Sequence, residues 1–389
     1  VALVLPLTRA ACGRSGRARS DATMLRIAVD AMGGDYAPQC AVEGAVRAAR
    51  EDGTDILLVG DRAKVEPELS RLGLDWQAAG GPRIELVHAE EVVGMDEPAI
   101  TPIRKKRRSS IRICSELVKE GRAQAMVTAG NTGAAMICAK MVIGTIPGVD
   151  RPALAAVLPN AAGRTVLLDV GANVDTKPTQ LRQFAVMGHF YAQAVIGTAA
   201  PRIGLLSIGE EEGKGTDLTR EVFRVLKKTG LNFIGNVEGR DVFNGTCDVI
   251  VCDGFVGNVV LKSAEALAEL IGKMLREELE RSPRTKAGYL LAKPAFDRFR
   301  TRVDYSEYGA APLLGVNGGC FIGHGRSNAH AIQNAVRRAV EFSVAELHRK
   351  IHDKVAELQS QEDKLHGTGD TGGTGDTGDS DGHQEASAR

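Results

Sequence analysis

The stretch IAVDAMGGDYAP, Ile27 to Pro38, passes from β-branched apolar residues into Asp30, a glycine pair at Gly33 and Gly34, and a second carboxylate at Asp35. A short apolar run closed by glycine and a carboxylate reads as a buried strand that delivers its end into a loop, because a strand covered on both faces is almost continuously hydrophobic. The same pattern recurs. DILLVG (Asp55 to Gly60), QAMVTAG, ALAAVLP, TVLLDVG, RIGLLSIG and DVIVCDG are further short apolar runs, separated by longer patterns of helical period such as PTQLRQFAVMGHFYAQAVIG. Strands alternating with helices form βαβ units, so the expected fold is α/β, a mostly parallel sheet flanked by helices.

Several of these runs end in glycine together with Asp, Asn or Glu: Asp30 to Asp35, Ala129 to Gly133, Asp169 to Asn173, Gly209 to Gly215, and Asp253 to Asn258. In an open parallel sheet such ends gather at the carboxyl edge, where ligands bind, and one common cleft is the expectation. A glycine turn ahead of a helix offers unpaired N–H groups and a positive dipole end, a chemistry suited to anions. Simple turn chemistry is the alternative for any one of these loops taken alone. No GxxxxGK[ST] occurs, and no GxGxxG opens the first helix after a strand, which disfavours ATP hydrolysis and ordinary dinucleotide binding.

The chain of 389 residues, 43% hydrophobic, is long enough for a large core or for two lobes sharing one sheet. Lys plus Arg and Asp plus Glu are both 49, so the whole molecule has no electrostatic preference for nucleic acid or anionic lipid. The seven cysteines lie scattered in apolar segments without a C-x-x-C pair, and read as reduced core thiols of a cytoplasmic protein with no metal site. Residues 1–23 place an apolar run ahead of their arginines, the reverse of a secretory signal, and read as a disordered extension or as sequence upstream of a working start at Met24. No apolar run reaches the ~18 residues of a membrane span. Residues 361–389, a Gly/Thr/Asp tract, read as a disordered tail, leaving one α/β domain over 24–360.

DAMGGDYAP, TAGNTGA, LLDVGANVDTKP, IGEEEGKG, IGNVEGRD, CDGFVGNVVLK, DYSEYGAAPLLGV and HGRSNAHAI follow one another in this order. With these motifs the chain resembles, from about Leu25 to Phe342, the bacterial phosphate acyltransferases of phospholipid synthesis, which make acyl-phosphate from acyl-[acyl carrier protein] and inorganic phosphate. The resemblance implies an isopropylmalate dehydrogenase-like fold without nucleotide use or cofactor, a homodimer, a projecting helical pair, and peripheral attachment to the inner face of the plasma membrane beside the next acyltransferase. Thr176 stands where many members have cysteine, which argues against a thiol nucleophile there, and NGGCFIGHG departs from the usual run before His324.

Attack of phosphate on a thioester needs cations and N–H donors for the phosphate and donors for the oxyanion. Lys177, with Asn131, Thr132 and Gly133, is the expected phosphate contact, and Lys214 a second candidate. A solvated charge is the alternative for a lone lysine. Asp253 and Asn258 are expected to orient the thioester or the phosphate, with helix capping as the alternative. Asn236 and Glu238 belong to the candidate substrate loops, although Glu238 and Asp241 could instead pair with Arg240 or Lys177 and only shape their loop. His324 is a candidate donor to oxyanion or phosphate, or else a structural hydrogen-bonding group. Gly33 and Gly34 let backbone approach the cleft, while Asp30 and Asp35 are expected to cap the loop and fix a basic partner, since carboxylates repel a phosphate dianion.

Two local patches suggest partners. Arg104, Lys105, Lys106, Arg107 and Arg108 form a consecutive cationic run suited to an acidic acyl carrier protein, with a plain solvated face as the alternative. Between Arg281 and Arg302, Leu290, Leu291, Phe296 and Phe299 alternate with cations, a mixture suited to an anionic leaflet, or else to a dimer core. The pattern from Ile332 to Leu358 predicts one final packing helix. Other functional readings are a non-catalytic scaffold binding acyl carrier protein at the membrane, and a soluble phosphate acetyl- or butyryltransferase acting on coenzyme A thioesters.

Overall fold

The computed structural model describes residues 25–74, 83–303 and 309–367. The expected extension 1–23, Met24, residues 304–308 of the DYSEYG motif, and the tail beyond Gly367 lie outside these residues. The chain enters through β1 (Arg26–Asp30), α1 (Gln39–Glu51), β2 (Asp55–Gly60), α2 (Arg62–Arg71) and β3 (Ile84–His88). Short α3 (Thr101–Arg104) and α4 (Ser110–Lys119) lead to β4 (Ala125–Thr128) and α5 (Thr132–Cys138), which runs on into a π-helical turn at Ala139–Ile143. Then come β5 (Ala153–Asn160), β6 (Gly163–Leu168), α6 (Pro178–Val195), β7 (Ile203–Leu206), α7 (Asp217–Leu226), β8 (Phe233–Val237), α8 (Asp241–Asn244) and β9 (Val249–Val251). The long α9 (Gly254–Glu280) and α10 (Pro283–Val303) precede β10 (Ala311–Leu314), β11 (Gly319–Ile322), α11 (Ala329–Val344) and α12 (Leu347–Gly367).

The strands form one sheet in the order β3-β2-β1-β4-β11-β10-β5-β6-β9-β7-β8. β3, β2, β1, β4 and β11 are mutually parallel, as are β6, β9, β7 and β8. Between these blocks lie β10 and β5, antiparallel to each other and to their outer neighbours β11 and β6. Three consecutive reversals leave the two parallel blocks running in opposite senses. The mostly parallel sheet is as expected, but the carboxyl ends of its two blocks lie on opposite edges. Both central hairpins have local causes: Asn160 pairs with Gly163 across a two-residue turn and accepts the Ala162 N–H at 2.8 Å, while Gly315 at φ +90° opens the β10–β11 turn.

Burial follows the strand period on both faces. Ile27, Val29, Ile56, Leu58 and Val127 join one core cluster, and Ala28, Leu57, Val59 and Met126 the other. Each large side chain so buried is worth about 1.5–3 kcal/mol in transfer terms. Five described cysteines, Cys114, Cys138, Cys247, Cys252 and Cys320, are buried free thiols; burial pushes the pKa values of Cys138 and Cys320 to about 12, so they stay protonated.

The single terminal helix expected from its apolar period is two helices. Ile332 and Val336 are buried on α11, and Leu347, Ile351, Val355 and Leu358 on α12, but the chain breaks at Glu346, whose φ is +49°, and Val344 beside the break is 71% exposed. A stripe that keeps its spacing through the break conceals it. α12 runs on to Gly367, past the domain edge expected at 360.

α9 departs from the body. Its 27 residues span about 40 Å, and its buried residues are Gly254 and Gly257 alone, both in the first turn. α10 packs back along it as a helical hairpin, and Leu267, Leu270, Ile271 and Met274 form an exposed apolar stripe on α9. Among the described residues no helix is long and apolar enough to cross a membrane.

Candidate active site

The second block ends in a loop organised by one carboxylate. Asp169, fully buried just after β6, accepts N–H groups of Leu154 (3.0 Å), Gly171 (3.3 Å) and Ala172 (3.0 Å) on Oδ1, and the backbone (2.7 Å) and side-chain (2.9 Å) N–H of Asn173 on Oδ2. Burial pushes its pKa up, and the same N–H donors pull against that. The first turn of α9 lies directly on this loop: a Cβ on Gly257 would stand 1.8 Å from the Asp169 carbonyl oxygen, so only glycine fits.

Three helix amino ends meet beside this loop. An open depression of about 340 Å³ is lined by Val174, Asp175 and Thr176 ahead of α6, Leu218 in the first turn of α7, and Asp253, Phe255 and Val256 at the start of α9. Helix amino ends carry partial positive charge, which favours an anion, while Asp175 and Asp253 bring two carboxylates to the same lining. Lys177 follows Thr176 as the N-cap residue of α6; its backbone N–H bonds Gln180 Oε1 at 3.0 Å, and its side chain is exposed. Asp253 caps α9 by accepting the Val256 N–H at 2.9 Å, and Asn258, one turn on, stands beside Gly171. Capping, the alternative for Asp253, is therefore present in the structure.

The loop after β7 carries Lys214, which is exposed, while its N–H bonds the Glu211 carbonyl at 3.0 Å. Beneath it Asn236 is buried at the end of β8 and donates to the same Glu211 carbonyl at 2.9 Å. Thr176 Oγ1, Ser207 Oγ and Asn236 Oδ1 are buried polar atoms without a hydrogen-bond partner among the described residues. Glu238 pairs with Arg240 at 3.5 Å, and Asp241 instead accepts the Glu238 N–H at 2.7 Å. These carboxylates hold the loop in shape.

The first block presents a separate group. Asp30 Oδ2 accepts from the Thr128 hydroxyl at 2.8 Å and Oδ1 from the Met32 N–H at 3.0 Å. Its expected basic partner is replaced by hydroxyl and N–H donors, which satisfy a buried carboxylate without a second buried charge. Burial nevertheless raises its pKa. Gly33 packs so closely on Gly130 that a Cβ would lie 2.6 Å from the Gly130 nitrogen, and the Asp35 N–H bonds the Gly325 carbonyl at 2.8 Å. Gly33, Gly34, Gly130 and the turn holding His324 thus meet at one edge. His324 is exposed, and its Nδ1 accepts the Arg326 N–H at 3.1 Å.

Asn131 caps α5, accepting the Ala134 N–H at 3.0 Å, and its amide nitrogen donates to the carbonyls of Gly94 (3.2 Å), Met95 (2.9 Å) and Glu97 (2.9 Å). That side chain is committed to protein contacts; beside it Thr132 is exposed and Gly133 half-buried. The cationic run divides in the same way. Arg104, Lys105 and Arg107 are exposed, Lys106 turns inward to Glu97, and Arg108 pairs with Glu90 at 3.0 Å.

The candidate residues therefore form two groups on opposite sheet edges: Lys177, Lys214, Asn236, Glu238, Asp253 and Asn258 in one, Gly33, Gly34, Asn131, Thr132, Gly133 and His324 in the other. The one common cleft expected from parallel strand ends is corrected by the central reversals, and Lys177 does not sit on the loop next to Asn131. Sequence reasoning named Asp169, Asn173 and Gly257 as loop residues without giving them a role. Gly254 and Gly257, three apart on one helix face, were the available signal of a close approach. On α10, Leu290 (69%), Leu291 (87%) and Phe299 (56%) are exposed, while Phe296 lies half-buried against the Tyr289 ring, 5.2 Å between centroids.

The architecture has solved counterparts. A phosphotransacetylase from Streptococcus pyogenes superposes with TM-score 0.55 at 16% identity, covering 82% of this chain and 94% of that one. EutD phosphotransacetylase from Staphylococcus aureus gives 0.52 at 15%, covering 84% and 94%. By fold, then, this is an α/β protein whose architecture resembles that of these two solved structures. Sequence similarity is narrower. A family model described as "Fatty acid synthesis protein" matches residues 25–350. The phosphate acyltransferase of Geotalea uraniireducens is 53% identical over 336 residues, 86% of this chain and 95% of its own length. That of Pelobacter propionicus is 50% identical over 351 residues, 89% and 100% respectively. The chain belongs to the phosphate acyltransferase family.

Proposed function

We propose that this protein transfers a fatty acyl group from acyl-[acyl carrier protein] to inorganic phosphate, giving acyl-phosphate for phospholipid synthesis. The observation that carries the reading is the meeting of the α6, α7 and α9 amino ends at one depression next to Lys177, where the helix dipoles and the lysine offset the Asp175 and Asp253 carboxylates of the same lining and favour a phosphate dianion. A phosphate oxygen attacks the thioester carbonyl carbon, the C–S bond breaks, and the carrier leaves as a thiol after taking up a proton. Phosphate is already anionic at neutral pH, so the residues act chiefly by positioning and by charge. Val174, Leu218, Phe255 and Val256 offer apolar surface for the adjoining acyl chain. Purified protein incubated with acyl-[acyl carrier protein], acyl-coenzyme A and labelled phosphate tests this directly; acyl-phosphate formed from the carrier substrate is expected, and its absence from every mixture overturns the reading.

Arg104, Lys105 and Arg107 serve as the carrier-docking cations. Changing all three to Glu is expected to raise the KM for acyl-[acyl carrier protein] at least tenfold while a neutral short thioester is affected far less. The wild-type reaction should weaken with salt, because steering by exposed charge is screened within ~8 Å at physiological ionic strength. Kinetics independent of salt would remove the patch from docking.

The α9–α10 hairpin serves two surfaces: the stripe Leu267, Leu270, Ile271 and Met274 joins a second copy into a homodimer, and α10 meets the anionic inner leaflet, where the product is passed to the next acyltransferase. Leu290, Leu291 and Phe299 changed together to serine remove up to about 1.5–3 kcal/mol of apolar burial each. Sedimentation with anionic vesicles should be lost while turnover in vesicle-free solution and dimer mass are retained. A variant that dissociates, or is inactive without vesicles, would assign these residues to the protein core.

A further inference from the structure

The reversal at the centre of the sheet carries one more cation to the depression. β5 runs antiparallel to β6, so its first residues arrive at the edge where β6 ends. The chain there is fastened to the Asp169 loop: the Pro152 carbonyl accepts the Asn173 side-chain N–H at 2.8 Å, the Leu154 N–H bonds Asp169 Oδ1 at 3.0 Å, and the Leu154 carbonyl accepts the Val170 N–H at 2.9 Å. Arg151 immediately precedes this anchored segment. Its side chain is exposed, and Nη1 reaches the carbonyl of Asp175, a residue of the depression's lining, at 3.4 Å. That contact is longer than an ordinary N–H···O bond, and among the described residues it is the only bond the guanidinium makes, with no carboxylate in ion-pair reach. Most of its N–H donors are therefore unused. Other arginines of the same block are committed: Arg202 to Asp248 at 3.0 Å, Arg240 to Glu210 at 2.8 Å, and Arg220 to Asp217.

We infer that Arg151 is a second phosphate-binding cation of the depression, acting with Lys177 to hold inorganic phosphate as the nucleophile. The lining sets Asp175 and Asp253 against a dianion, and Lys177 alone balances only one of these carboxylates. A guanidinium at the Asp175 carbonyl supplies the second positive charge, and its planar fork matches two phosphate oxygens at once, which an ammonium cannot do. The long bond to a neutral carbonyl gives the side chain a resting position that a charged acceptor displaces. The anchored backbone at Pro152 and Leu154 fixes where the side chain starts, so its reach to the rim does not depend on a loose loop. An arginine kept for the fold would be paired or buried, and Arg151 is neither. The inference rests on the reading that the depression takes phosphate, and the test separates the two.

Arg151→Gln, Arg151→Lys and Lys177→Ala are compared with wild type in steady-state kinetics, varying phosphate and acyl-[acyl carrier protein] separately, after thermal melts establish folding. Arg151→Gln should raise the phosphate KM about tenfold or more, with the carrier KM within about twofold of wild type and the melting midpoint unchanged, as expected for loss of a charged donor that touches phosphate alone. Arg151→Lys should recover part of that loss, because charge returns without the fork. A bond that merely shapes the Asp175 loop would lower the melting midpoint or kcat and leave the phosphate KM where it was, and that result overturns the inference. So does a rise confined to the carrier KM, which would assign the guanidinium to the carrier substrate. If Lys177→Ala raises the phosphate KM while Arg151→Gln does not, the role of Arg151 fails alone; if neither variant moves it, phosphate is not held at this depression and both readings fail.

Discussion

Replacing Asp169 by alanine is expected to cost about 3–5 kcal/mol of stability and to remove most of the activity. Its two oxygens accept five N–H groups, four from the backbone and one from the Asn173 side chain, in a site with no exposure. Alanine leaves those donors buried without acceptors, and each stranded group costs about 1–3 kcal/mol. Partial relaxation of the loop keeps the total below the simple sum. The loop also supports the first turn of α9, since Gly254 and Gly257 pack on Asp169 and Asn173 with no room for a Cβ. Asp169→Asn should be milder: it retains one acceptor but turns a donor toward the Asn173 N–H groups. Urea denaturation of both variants measures the effect, and a loss below about 0.5 kcal/mol for alanine would mean that the loop finds other acceptors.

Lys177→Ala is expected to slow the reaction by about 10²–10³, equivalent to about 2.7–4 kcal/mol of transition-state stabilisation, with the phosphate KM raised and thermal stability unchanged. The side chain is exposed and the cap of α6 is made by its backbone N–H to Gln180, so truncation leaves the helix start intact. What is lost is the exposed cation at the amino end of α6. Lys177→Arg should recover part of the rate, because charge is restored with a different shape. Measured kcat and phosphate KM decide the matter: wild-type values in Lys177→Ala would move the phosphate away from this depression, with the first-block edge and His324 as the remaining place to look.

Much of the protein was legible in local sequence. Apolar runs such as Asp55 to Gly60 are strands because burial on both faces demands continuous hydrophobicity, and Gly33 in its loop and Gly257 in the first turn of α9 mark close approaches because backbone comes that near only without a Cβ. The ordered motifs from DAMGGDYAP to HGRSNAHAI carried the family. Tertiary structure alone decided the rest. The register that sets Leu313 against Leu154 reverses the sheet at its centre, and a pairing between strands so far apart in the chain leaves no trace in the period of either. That reversal sends Lys177 and Gly130 to different edges. Likewise Lys105 and Lys106 are equivalent as letters, yet one faces solvent and the other Glu97, because side-chain direction depends on which carboxylate the fold brings alongside. The break at Glu346 is invisible for a related reason: the buried stripe keeps its spacing while the backbone turns, and only packing against the body requires the turn.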